Sequence, residues 1–396
     1  MEIARARRAE MVAYFGCGYL TAIICWERCK LPVFSKKRGK RLLFLTKYDQ
    51  TGASSRYRTY QYLPHLTSID YSVSPLLTGQ YLQQRFTQSR LAQLWFIAKA
   101  YAARCWCILQ APRHYDLLFI EYELLPYFPA WLERYLHWRK IPYIVDYDDA
   151  LFHQYDHHRN PVIRQLLGNK IATVMRLSQH VIAGNRYLAE YAHNAGAKCV
   201  SIIPTVIDLE HYRKAADYPK AEVFTIVWIG SPSTTPYLKE VLPALQTLSQ
   251  HYPLRLRLIG AGDIDMPGIT VERLAWQQDK EVEYISQCHV GIMPLPDTPW
   301  TRGKCGFKLI QYMACGLPII ASPVGINAEI IESGKNGFLA SNHKDWITAI
   351  EKFLKHPKSA SDMGETGLKK IIQKYCLKKT QKKFATLIRC KLEKYE

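Results

Sequence analysis

The chain has 396 residues, of which 48% are hydrophobic and 22% charged. This balance is that of a globular chain and not of a disordered one, and the length exceeds one ordinary core and suits two domains of α/β type. The formal net charge of +19 favours anionic partners: nucleotide diphosphates, acidic membrane surfaces or nucleic acid. The 11 cysteines lack zinc-type pairing, which points to reduced thiols in a cytoplasmic setting. At the N-terminus, Arg5, Arg7 and Arg8 precede an apolar run from Met11 to Trp26. The run is short for a bilayer span, and three readings stay open: a shallow anchor, an extra helix packed on the body, or a start codon placed too early. The first forty residues are therefore set apart as an extension.

From residue 41 short apolar runs alternate with amphipathic stretches. Strands are expected at Arg41–Thr46, Tyr71–Pro75, Asp116–Glu121, Pro142–Asp146, His180–Ala183 and Val200–Pro204, with a helix over Gln80–Leu109. The pattern restarts with strands at Phe224–Gly230, Leu254–Gly260, Ile269–Leu274, Val290–Leu295 and Pro318–Ala321. Helices fit Thr235–Gln250, Lys280–Gln287, Phe307–Cys315 and Lys344–Lys355. Continuous apolar strands alternating with helices imply parallel sheets covered on both faces. Two doubly wound, Rossmann-like units are expected, at 41–210 and 211–375, with a basic C-terminal helix over 376–396. In such sheets ligands sit at the carboxyl ends of the strands, so the chemistry is expected on the loops after the strands.

The loop from Tyr48 to Arg58 follows a strand and opens a helix; Gly52 permits close backbone approach, and Arg56 and Arg58 add charge. Asp146, Asp148 and Asp149 follow the strand PYIV. Carboxylates so close repel one another, and they suit binding acceptor hydroxyls, acting as a base, or holding a divalent cation; an Asp helix cap with exposed acids is the plain alternative. The richest segment runs from Arg302 to Pro318. Gly303 and Gly306 precede a helix whose amides, at Cys305, Gly306 and Phe307, are open to phosphate. Lys304 and Lys308 add cations, and Gln311 shares the helix face of Lys308. Ser231 in Gly230–Thr235, and Gly325 and Glu329 in Ser322–Glu329, are weaker additions to the same cradle. Ile259-Gly260-Ala261-Gly262-Asp263 has dinucleotide-type glycines, but a strand follows where a helix is required, so it reads as a turn.

KLIQYMACGLPIIASPVGINAEII followed by SGKNGFLA resembles the nucleotide-binding signature of retaining glycosyltransferases of family 4, group 1 type, whose fold is two facing Rossmann-like domains, called GT-B. The resemblance is strong over Phe224–Lys355 and fainter over Arg41–Pro204. The GKCxFK and Asp-Asp-Ala motifs resemble a subgroup of these enzymes. That family usually carries two glutamates spaced by seven residues; here Gly303 and Gln311 stand at those positions. Gln311 still hydrogen-bonds ribose hydroxyls, whereas Gly303 supplies no carboxylate. The resemblance implies a UDP- or GDP-sugar donor, no metal and no cofactor, and transfer with retention to a glycan or lipid-linked acceptor. It further implies Lys304 and Lys308 against the departing diphosphate, Asp148 toward the acceptor with Asp146 and Asp149 in reserve, and a C-terminal helix packed back across the first domain. The basic patches and the apolar N-terminus suggest peripheral attachment to an anionic membrane surface. Rival readings are a non-catalytic GT-B partner subunit, a sugar-nucleotide epimerase, and a nucleic-acid-binding protein, the last without any supporting motif.

Overall fold

The computed structural model describes residues 40–79, 81, 89–212 and 222–393. The N-terminal extension, the start of the helix expected from Gln80, and much of the expected domain boundary lie outside the described residues. The first sheet contains β1 (Arg41–Tyr48), β2 (Asp70–Leu77), β3 (Leu117–Glu121), β4 (Tyr143–Tyr147), β5 (His180–Ala183) and β6 (Val200–Ile202), in the order β2-β1-β3-β4-β5-β6. All its pairings are parallel. The second sheet contains β7 (Phe224–Ile229), β8 (Leu254–Ile259), β9 (Thr270–Leu274), β10 (Val290–Met293), β11 (Ile319–Ala321) and β12 (Gly337–Leu339), in the order β12-β11-β10-β7-β8-β9, again parallel. β3, β4 and β7 are buried along their whole length. Their uninterrupted apolar runs therefore sit mid-sheet with helices on both faces.

The helices that matter for the site and surface are α1 (Ala53–Arg58), α2 (Arg90–His114), α3 (Trp131–Trp138), α4 (Arg186–Asn194), α5 (Phe307–Ala314), α6 (Pro357–Lys370) and α7 (Leu377–Glu393). Three expectations change. The helix expected over Thr235–Gln250 is a 3-10 turn, Thr235–Glu240, followed by a separate helix, Leu242–Ser249. Pro243 lacks an amide and its ring clashes with the preceding turn, so one continuous helix cannot form. The helix expected over Gln80–Leu109 begins at Arg90, N-capped by Ser89, and continues to His114, with Pro112 in its last turn. β12 was not foreseen; at three residues it is too short to display a period.

Pro75 lies inside β2, an edge strand paired only with β1, the position in a sheet that tolerates proline. Every described cysteine is free.

The chain crosses between the domains twice. The two crossings pair with each other: Ile207 N donates to Tyr375 O at 3.0 Å and Leu377 N to Ile207 O at 2.9 Å. After the second crossing α7 covers the outer face of the first sheet. Phe384, Ile388 and Leu392 join Leu42, Phe44 and Phe119 in one core. The Phe384 ring stacks on Tyr62 at 4.4 Å. A cavity of ~260 Å³ lies between Lys40, Asp70 and Arg389, at the amino ends of β1 and β2, the opposite edge of the sheet from the carboxyl-end loops.

Candidate active site

Because both sheets are parallel, their carboxyl ends carry the loops that meet across the cleft. On the first-domain side, α1 rises directly after β1. Ser55 at its start is buried and its Oγ donates to Glu121 Oε2 at 2.7 Å. Ser54, one residue earlier, donates to Asp148 Oδ2 at 3.0 Å. Tyr122, held at φ 63° just past β3, donates its hydroxyl to Asp148 Oδ1. Asp148 therefore sits at the end of β4 with its carboxylate oriented by two hydroxyls. Burial pushes the Glu121 carboxyl up to about 8, with Asp148 and Asp146 adding and the Ser55 hydrogen bond opposing. Burial and the neighbouring Asp148 hold Tyr122 firmly protonated.

On the second-domain side, Gly303 to Phe307 lead into α5. Gly306 takes φ 66° as the N-cap of α5, a left-handed conformation that glycine adopts without penalty. Lys304 Nζ reaches across to Asp149 Oδ1 at 3.2 Å. Burial works against the Lys304 charge, yet Asp149 and its neighbours raise the pKa overall. Asp149 is raised by burial, with Lys304 opposing. Lys308 sits with Nζ 5.3 Å from the centroid of the buried Trp228 ring. Among the described residues no carboxylate forms a salt bridge with it. Burial, reinforced by Lys304, brings its pKa down to about 8. A half-buried, unneutralised ammonium facing a cleft is an anion site.

The two sides touch. Asn185, which caps α4 by accepting from Leu188 N at 2.9 Å, donates to Gly303 O at 2.9 Å and Lys304 O at 3.1 Å. A Cβ on Gly303 would lie 2.3 Å from Ala150 Cβ, and one on Gly184 would lie 2.3 Å from Cys305 Sγ. Tyr57 packs on Phe307 with ring centroids 4.3 Å apart. Arg56 lies over Trp276, 4.8 Å from its ring, and donates to Gln278 Oε1 at 3.0 Å. The cleft is closed around these contacts.

The expected site residues divide accordingly. Asp148, Asp149, Lys304, Lys308, Cys305, Gly306 and Phe307 are brought together, whereas Arg56 crosses the cleft to Trp276 and Gln278. Gly325 stacks beside them, its Cα against the Arg302 carbonyl, where an added Cβ would lie 2.4 Å from the oxygen. Asp146 and Arg58 are not at the cleft surface: they form a buried pair, with Arg58 Nε on Asp146 Oδ2 at 2.9 Å and Arg58 Nη1 on Ile203 O at 2.8 Å. Both were expected to face ligand; the pair instead ties α1 to β4 from beneath. Gly52 is buried behind α1 against Tyr48. Ser231 is exposed on the loop after β7, bonded to Ser233. The Glu329 side chain is exposed, while its carbonyl accepts from Lys370 Nζ at 3.1 Å, on the α6 side.

Asp146, Asp148 and Asp149 point to three different partners. Among the described residues, the group with metal-ligand spacing is His153, Asp156 and His157, which does not include them.

Gln311 is buried, and its amide donates to Glu281 Oε1 at 2.8 Å and to Tyr212 Oη at 3.0 Å. Trp276 Nε1 donates to the other Glu281 oxygen at 2.5 Å. A carboxylate thus stands beside residue 311 although residue 311 is an amide. Sequence reading missed Glu281, Trp276, Asn185 and Tyr122. Of these only Asn185 carried a local signal, as an Asn before a helix following a strand; the others are placed by tertiary contacts.

Two facing, open parallel α/β sheets with the ligand loops at their carboxyl ends define the GT-B class of fold. Residues 223–356 match the model of the family described as Glycosyl transferases group 1. A probable sucrose-phosphate synthase of Thermosipho melanesiensis is 32% identical over 83 residues, 21% of this chain and 19% of that protein. A D-inositol 3-phosphate glycosyltransferase of Gordonia bronchialis is 36% identical over 64 residues, 16% of this chain and 14% of that protein. The chain thus spans a fifth or less of the curated relatives it matches. Among solved structures, the sucrose-phosphate synthase of Thermosynechococcus elongatus superposes with TM-score 0.66 at 16% identity, over 89% of this chain and 98% of that one. Anabaena HepE in complex with UDP-glucose superposes with TM-score 0.65 at 15% identity, over 89% and 100%. At such identity the likeness is one of fold.

Proposed function

We propose that this chain is a glycosyltransferase that moves a sugar from a UDP- or GDP-sugar to an acceptor hydroxyl, with retention of anomeric configuration. The observation that carries this reading is the set of groups meeting at the closed cleft: Lys304, paired with Asp149, and Lys308, at the amino end of α5, on one side, and the carboxylate of Asp148, oriented by Ser54, on the other. In this reading the donor diphosphate lies against Lys308, Lys304 and the amides of Cys305 to Phe307. As the bond from the anomeric carbon to the phosphate oxygen breaks, negative charge grows on the diphosphate, where the cations and helix amides stabilise it. Asp148, fixed by Ser54 and Tyr122, orients the acceptor hydroxyl or takes its proton as the oxygen attacks on the face the diphosphate leaves. The ribose hydroxyls meet Gln311 and Glu281, the latter restoring the carboxylate missing from position 311. Closure through Asn185 and Tyr57 excludes water, which otherwise competes as acceptor. A glycan or lipid-linked acceptor fits this scheme.

A thermal-shift screen with UDP, GDP, UDP-glucose, UDP-N-acetylglucosamine and GDP-mannose tests the reading. One nucleotide should raise the melting temperature, and Lys308→Ala should remove that rise. Asp148→Asn should keep the rise while donor turnover falls by about 10²–10⁴-fold. A folded protein that responds to none of the five would favour a second reading, a non-catalytic GT-B subunit, for which the packing of Gly303 on Ala150 in place of a carboxylate speaks.

A further inference from the structure

The first domain carries an exposed face that neither the cleft nor the core explains. α2 buries Ile108 and Ala111 in the core of the first domain but leaves much of its apolar surface outside. Its inner side holds a buried arginine, Arg104, whose Nη2 donates to Thr46 O and Ser74 O, each at 2.9 Å. Its solvent side holds Leu91, Trp95, Ala98, Ala102, Trp106 and Leu109, all exposed. Steps of three and four residues keep these on a single stripe. α3 extends the stripe: the Tyr101 ring lies 5.6 Å from Phe128, which lies 6.4 Å from Trp131. Trp95, Trp106, Trp131 and Trp138 are 65%, 59%, 61% and 73% exposed. Every other tryptophan among the described residues is buried or half-buried. Contiguous exposed apolar surface of this kind marks an interaction site.

Charge selects the occupant. α2 contains no acidic residue, and Glu133 of α3 is buried, its Oε1 accepting from Leu124 N at 2.9 Å. Arg90, Lys99, Arg113, Arg134, Arg139 and Lys140 are all exposed. Lys99 lies over the Trp95 ring at 5.3 Å and Arg139 over the Trp138 ring at 5.9 Å. A second copy of the chain, docked by a two-fold axis, would set these cations against their own images. Indole rings level with basic tips match the headgroup region of an anionic bilayer, which takes the rings at its interface and the cations at its phosphates. We propose that α2 and α3 form the face on which this protein docks onto an anionic lipid bilayer.

Both helices run back from the carboxyl ends of β2 and β3. Trp95 and Trp131, near their amino ends, therefore stand toward the cleft, and docking sets the cleft mouth beside the lipid surface. The docking face does not depend on the transferase reading, because vesicle binding is measured without donor or acceptor.

The test is cosedimentation of the full chain with vesicles of phosphatidylcholine alone or mixed with phosphatidylglycerol. The parent should bind the mixed vesicles more tightly and release them as salt rises. Trp106→Ser with Trp131→Ser, and separately Lys99→Glu with Arg139→Glu, should each weaken binding at least ~10-fold. Brominated lipid should quench the parent's tryptophan fluorescence, and quench the Trp106→Ser, Trp131→Ser variant less. These positions are on the surface, so both variants should keep the parent's circular dichroism and melting temperature. Parent-like binding by both folded variants would overturn the proposal, as would no binding by the parent. A dimer that the same substitutions dissociate, without vesicle binding, would overturn it in favour of a second copy.

Discussion

Lys308 is the residue whose chemistry is most exposed to experiment. Its pKa is brought down to about 8 by burial and by Lys304, so in the free protein it loses its charge as pH rises through that value. A bound diphosphate favours the protonated form. Donor affinity should therefore be flat below about pH 7 and fall above 8 by up to ~10-fold per unit. A UDP-sugar is the right probe, because its diphosphate stays ionised across the window. Calorimetric titration from pH 6.5 to 9.5 measures this, and Lys308→Arg, always charged, should flatten the profile. The Gly-Lys run entering a helix was legible in the sequence, and the structure sets Lys304 beside Asp149 and Lys308 over Trp228. Asp146 and Arg58 were misplaced for the same reason that they fit so well: a buried bidentate pair and a ligand-facing pair look identical along the chain. Glu281 was invisible, being 30 residues from its partner Gln311.

At the scale of elements, the strands of both sheets were readable because continuous apolar runs are what a doubly covered parallel sheet requires. What escaped were elements whose form depends on little side-chain pattern: the three residues of β12, and the break at Pro243. α7 gives this scale its sharpest prediction. Phe384 is buried against Tyr62 and Phe119, so Phe384→Ala should cost about 3–5 kcal/mol. In urea, the transition reporting the first domain should move to lower denaturant, and the second domain's should move less. Coincident shifts of equal size would show the domains to unfold as one unit.

For the molecule as a whole, the closed cleft rests on very close packing between Gly303 and Ala150. Gly303→Ala would place two methyl carbons 2.3 Å apart, well inside contact distance, so the domains must separate or the loop must shift. X-ray scattering should show a larger radius of gyration. Donor binding to the second domain should change by only a few-fold, while transfer falls more than ~10-fold, because water exclusion and the approach of Asp148 both need closure. Ala150→Gly in the same chain should restore compactness and activity together; restoration of neither would place the defect in the loop itself. Nothing local in the sequence announces that contact, since it joins residues from different sheets.

The twofold crossing has a consequence for how the chain is made. Leu42 and Phe44 belong to the first strand, yet the core they face is completed by Phe384, Ile388 and Leu392. On the ribosome the first domain emerges early and then waits, with one face of its sheet only partly covered by its own Tyr62, Leu63 and Leu66, while all of the second sheet is synthesised. The second domain has no such debt to a distant segment for its central strands. The order of maturation should therefore run against the order of synthesis: the later sheet closes its core first, and the earlier one is finished only when the returning helix arrives.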